Sequence, residues 1–341
     1  MTVKGTERRR TEFARARAAS GFLLAALVFL IARLLAERGA RGFARSSWEP
    51  LIEQGMLAFL LLIGFAALGM MRDSQLDPVA QQGLTLRFGW RREAGLGIGL
   101  GWALALVCLL PMALGGIAVH FSLSLASFGW LAADGVFFAL ATLAATIAFQ
   151  GYPLQLLSRV MGEPSAVMLM AILYGLMQMG LPGASRASLA MCFAFGLMLG
   201  IGYLRTRALW VPWGIHFGWV AAQALVFGLP VNGVTSHSSV VQSYPMGSYF
   251  FSGGDFGLDG SWFSVLAVVA ATPVLFRVTR DLSFVHNAPV IVAGGVAVDL
   301  DAAARRQHET ATRPEAPEGK PLVQILPAAA PVEAAREQDW Q

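Results

Sequence analysis

The chain has 341 residues, 56% hydrophobic and only 13% charged, with a net charge of +4. A soluble domain is nearer half apolar and a quarter charged, so an ordinary water-soluble fold is excluded and lipid is the expected solvent. The two cysteines, Cys108 and Cys192, sit inside apolar runs without CxxC or zinc-finger spacing, which excludes a readable disulfide framework and leaves them as small core residues.

Residues 1–19 form a basic arm containing Lys4, Arg8, Arg9, Arg10, Arg15 and Arg17. A hydrophobic segment follows at once, so the arm reads as a cytoplasmic topology anchor rather than a nucleic-acid-binding tail, and no nucleic-acid partner is expected. A cleaved signal peptide fits less well, because further apolar segments follow.

Eight segments approach the ~20 residues needed to cross a bilayer. They are Ser20–Ala36, Pro50–Met71, Ala94–Ile117, Gly129–Gln150, Ser165–Gly180, Ala187–Tyr203, Leu209–Leu229 and Ser261–Arg277. The expected fold class is therefore all-α, a polytopic transmembrane helical bundle of about eight spans over 20–280. With the N-terminus inside, Arg38, Arg41, Arg45 and Arg186 fall on the far side, and the other loop and end basic residues up to Arg280 gather on the near side. That asymmetry predicts cytoplasmic N- and C-termini in a bacterial plasma membrane. Small-xxx-small patterns, with Gly95, Gly97, Gly99 and Gly101 at the start of the third segment and Gly196 with Gly200 in the sixth, predict close helix packing.

The Gly-rich stretch Ser252-Gly-Gly-Asp-Phe-Gly-Leu-Asp-Gly260 carries acidic charges and no following lysine. It reads as a turn re-entering the last span rather than a phosphate cradle. Residues 281–341, rich in Ala, Pro and Glu, read as a mostly disordered cytoplasmic tail.

Inside the spans, polar side chains are few: Arg33, Glu53, Asp134, Gln150, Gln178, His216 and Gln223, with His120 at a span end. Such residues are costly in lipid and mark function or structural glue. Arg33 can snorkel, and Glu53 and Asp134 lie in first turns, where the helix dipole favours a carboxylate. His216 lies well inside the seventh segment, in Trp210-Val-Pro-Trp-Gly-Ile-His-Phe-Gly-Trp219. A lone helical histidine is more often a satisfied core residue, and a cluster with Gln150 and Gln178 could be interhelical glue worth ~0.6–2 kcal/mol per bond. No HExxH occurs and no second histidine lies near His216, so no metal or other cofactor is expected. No Gly-x-Ser-x-Gly elbow supports a serine hydrolase either.

Several stretches together resemble the CAAX prenyl protease and bacteriocin-processing family of intramembrane endopeptidases. Ala145-Thr-Ile-Ala-Phe-Gln-Gly-Tyr152 is similar to that family's frame of a Glu-Glu pair followed by Arg, then Gly and an aromatic or aliphatic residue. Tyr174-Gly-Leu-Met-Gln178 is similar to Phe-x-x-x-His. Leu209-Trp-Val-Pro212, then His216 and Val220, is similar to Leu-Trp-x-Pro followed by His-x-x-x-Asn. Ser252–Ser261 resembles a Gly-rich loop carrying Glu where Asp259 stands. The resemblance covers roughly residues 83–273.

The departures fall on the positions that the resemblance implies are catalytic. The two Glu become Ala145 and Thr146, the Arg becomes Gln150, the first His becomes Gln178 and the Asn becomes Val220. Only His216 is retained. In the family a Glu and a His activate a water that attacks the peptide carbonyl. A positioned base supplies ~10²–10⁴-fold, and neither the Thr146 hydroxyl nor the Gln178 amide replaces one. The expectation is a catalytically impaired pseudoprotease that binds a membrane-protein helix or a C-terminal tail peptide. One alternative is an active, divergent endopeptidase using Asp134, eleven residues before Ala145 and on nearly the same helix face. Another is a small-solute transporter or channel, although no paired halves of the transporter kind are present.

Overall fold

The computed structural model describes residues 3–43, 46–72, 82–86, 89–181, 183–238 and 240–282, together with Val79. The expected tail lies outside the described residues from 283 onward. The described part is a helical bundle, with α1 Val3–Phe43, α2 Glu49–Arg72, α3 Trp90–Leu114, α4 Leu125–Gln150, α5 Tyr152–Met161 and α6 Glu163–Met177. It continues with α7 Arg186–Thr206, α8 Trp210–Ala221, a helical turn α9 Tyr249–Ser252, and α10 Trp262–Val278.

Every expected span falls on one of these helices. Among the described residues, the stretches Glu12–Gly42, Glu49–Arg72, Trp90–Leu114, Leu125–Met161 and Arg186–Thr206 are long and apolar enough to cross a membrane. The other three expected spans are short: α6 has 15 residues, α8 has 12 and α10 has 17. At 1.5 Å per residue, a 12-residue helix reaches only ~18 Å. The seventh segment is continued by a π-helical turn, Ala222–Val226. The fifth ends in a 3-10 turn at Gln178–Gly180.

Local chemistry sets the breaks. Ser124 caps α4 by accepting from the Ser127 N–H at 3.1 Å, which supplies a partner that the first helical turn lacks. Gly151 ends α4, and a proline lies in the first turn of both α5 and α6, where its missing N–H costs nothing. Ser185 and Ser188 form a capping box at the start of α7. The third span stops at Leu114 rather than Ile117: Ile117–Phe121 is a strand, β1, paired antiparallel with β2, Val241–Pro245. His120 therefore sits exposed on a strand.

The tightest crossing is between α3 and α8. A Cβ on Gly97 or Gly101 would strike the backbone carbonyls of Val211 or Ile215, and one on Gly214 or Gly218 would strike those of Ala94 or Ile98. Only bare backbone fits on both sides, as close small-residue packing in lipid requires. One core cluster lies around this crossing, with Leu104, Cys108, Met191, Phe195, Ile215 and Trp219. A second joins α1, α2, α4, α5 and α6 through Leu61, Phe65, Ile147, Leu156 and Met170. Large apolar side chains face outward on α1 (Leu23, Leu27, Leu30), α3 (Leu106, Leu110) and α10 (Leu266, Val269). Outward faces of this kind belong in hydrocarbon, where helices satisfy all their backbone groups internally.

Candidate functional site

His216 projects from α8, and the glycine clasp with α3 holds that helix in place. The ring is buried, at 7% exposure. Its Nε2 lies 3.4 Å from the Tyr174 hydroxyl on α6, and the ring is edge-on to Phe195 of α7 at 5.5 Å. Its Nδ1 has no hydrogen-bond partner within the protein. Phe149 of α4 meets Tyr174 edge to face at 5.2 Å. The three helices that carry the motif frames are thus brought together through aromatic contacts.

One turn beyond His216, Trp219 reaches out of α8. Its indole N–H donates to Asp259 Oδ1 at 2.8 Å. Asp259 belongs to the Gly-rich loop and is 6% exposed. The loop can deliver a carboxylate here because Gly253 and Gly257 take positive φ angles of 65° and 81°, which glycine adopts freely. A Cβ on Gly257 would also strike the Pro230 carbonyl.

Between these groups lies a cavity of about 10 Å³, with His216, Val220, Tyr174, Cys192, Asn232 and Asp259 in its lining. Two buried oxygens there, Asp259 Oδ2 and Asn232 Oδ1, have no partner within the protein. Buried polar groups are nearly always satisfied, so these orphans distinguish the site from ordinary core. Val220, at the Asn position of the motif, contributes only apolar wall.

The other motif positions stand apart from this cavity. Ala145 is half-buried and packs into the second core cluster. Thr146 is fully buried, and its hydroxyl donates to the Thr142 carbonyl of its own helix at 2.6 Å. Gln150 is buried at the last turn of α4. Gln178 is half-buried at the C-terminal end of α6. None of the four lines the cavity beside His216.

Asp134 has a different environment. Its Oδ1 is 2.9 Å from His237 Nδ1, and its Oδ2 accepts from the Ser238 N–H at 2.8 Å. His237 stacks on Trp130 at 5.6 Å, and Ser238 Oγ donates to the Ser127 carbonyl. Asp134 therefore ties the 236–238 segment to α4, with both oxygens engaged, and it does not line the His216 cavity. The carboxylate that does is Asp259, which periodicity along a helix had no means of finding. Its only sequence signal was its place in the Gly-rich loop. Nothing in the sequence singled out Asn232. Among the described residues, no cluster of three or more His, Cys, Asp or Glu side chains is arranged to hold a metal ion.

The model of the family described as Type II CAAX prenyl endopeptidase Rce1-like matches residues 127–222. No curated protein and no solved structure matches the chain. The matched segment starts within α4 and ends just past α8, so it contains all three motif frames, His216 and Val220. Over residues 127–222, this integral membrane protein is therefore similar to the Type II CAAX prenyl endopeptidase Rce1-like family.

Proposed function

We propose that the protein is a pseudoprotease: a membrane-embedded member of the family that has lost ordinary peptide hydrolysis and still binds a membrane-protein helix or a C-terminal tail peptide. It would act in a bacterial plasma membrane with both termini in the cytoplasm and without a metal. The observation that carries the reading is the state of the base position. Thr146 stands where the family has its second Glu, and its hydroxyl is bonded back to Thr142. Ala145 beside it has no polar group at all. A missing general base costs ~10²–10⁴-fold, and losses within one catalytic unit do not simply multiply.

The test uses the purified full chain in lipid, presented with defined tail and membrane-segment peptides that carry a photo-crosslinker. The expected result is intact peptide crosslinked to α4, α6 or α8. Recovery of those peptides only as fragments would overturn the loss of activity, and no crosslinking at all would overturn the binding role.

A further inference from the structure

We propose that the cavity between α8 and the Gly-rich loop is a binding site for a single water molecule, held at three points by His216 Nδ1, Asp259 Oδ2 and Asn232 Oδ1, and that this bridge latches the loop shut over the site. The cavity's volume, about 10 Å³, is at the lower limit for one water, which also needs two to four polar partners. His216, Asp259 and Asn232 all line it, and each carries a buried polar atom (Nδ1, Oδ2 and Oδ1) with no partner within the protein. His216 and Asp259 are each more than nine-tenths buried.

The hydrogen-bond directions close without remainder. The Tyr174 hydroxyl lies 3.4 Å from His216 Nε2, and in the proposed arrangement it donates to that nitrogen. The ring N–H is then on Nδ1, the nitrogen left without a partner in the protein, since the two imidazole nitrogens take opposite roles. A water there accepts from Nδ1–H and donates to the two orphan oxygens, one on Asp259 and one on Asn232. One molecule thereby satisfies all three atoms.

The structural consequence is that three chain segments meet at the water: α8, the turn at Asn232, and the loop that carries Asp259. Trp219 reinforces the join from the other carboxylate oxygen. With the latch shut, Cys192 in the cavity wall is 4% exposed, and displacing the loop is expected to raise that exposure. This inference does not depend on the proposed peptide-binding role.

Cys192 is therefore a built-in reporter. The full chain in lipid is treated with a water-soluble methanethiosulfonate, and labelling is read peptide by peptide. Cys108 serves as the internal control, because it is fully buried outside the cavity. Asp259→Ala and Trp219→Phe are expected to speed Cys192 labelling relative to Cys108 by at least about tenfold, the scale of losing one hydrogen bond to a carboxylate. Asp259→Asn, which keeps an oxygen for the water, is expected to give a smaller rise. An unchanged Cys192 rate in both disruptive variants, or an equal rise at Cys108 that signals general loosening, would overturn the latch. A high-resolution structure of the full chain in lipid tests the ligand itself. One water at about 2.7–3.2 Å from the three atoms is expected. A site with no density, or a cation at about 2.0–2.2 Å matched by metal content, would overturn the assignment.

Discussion

His216 is held by shape more than by polar partners. Its one side-chain hydrogen-bond contact, with Tyr174, is long at 3.4 Å, while Phe195 and Tyr174 pack edge-on against the ring. Tyr174→Phe is therefore expected to cost less than about 1 kcal/mol in thermal unfolding, the lower range for one neutral hydrogen bond. Asp134→Ala should behave differently. It removes two short contacts and strands the Ser238 N–H, with an expected loss of about 1.5–3 kcal/mol. It should leave Cys192 labelling unchanged, because Asp134 lies outside the His216 cavity. A rise in Cys192 labelling in that variant would mean the two clusters are coupled. His216 was legible in the sequence because a titratable residue deep in an apolar run stands out. Asp259 was not, because its neighbours come from a loop whose path only folding fixes. The helix-face reasoning that favoured Asp134 gives a residue's direction on its own helix, and the residues it meets depend on how the next segments pack.

At the scale of elements, the α3–α8 clasp is the feature on which the site depends. The four glycines that open α3 are not equivalent. Gly97 and Gly101 face α8 backbone, whereas a Cβ at Gly95 or Gly99 meets nothing within 4 Å. Gly101→Ala or Gly97→Ala should push the helices apart at a cost of about 1–3 kcal/mol, as overpacking does. Gly95→Ala and Gly99→Ala should be neutral or stabilising by up to about 1 kcal/mol, since alanine loses less entropy in a helix. Unfolding midpoints of the four variants in one lipid or detergent condition check this, and equal behaviour would contradict the clasp. Apolar segments showed where the helices lie because composition alone demands them in lipid. The division of α4 from α5 at Gly151, and the β1–β2 pairing, did not show in the sequence. The first depends on one backbone twist, and the second on two five-residue strands whose partners are far apart along the chain.

For the whole molecule, the outward-facing leucines of α1 and α3 together with the long apolar helices predict a protein that stays with the membrane through alkaline carbonate extraction; release into the soluble fraction would contradict the bundle's placement in lipid. In the proposed reading, the helices similar to the CAAX endopeptidases persist without their peptide hydrolysis. The most direct measurement compares peptide-bond cleavage by the wild-type chain in lipid with that of His216→Ala, using a pool of tail and membrane-segment peptides read by mass spectrometry. The prediction is that the two are indistinguishable. Cleavage by the wild type that disappears in His216→Ala would contradict the account, and Asp259 would then be the first residue to test as the base beside it.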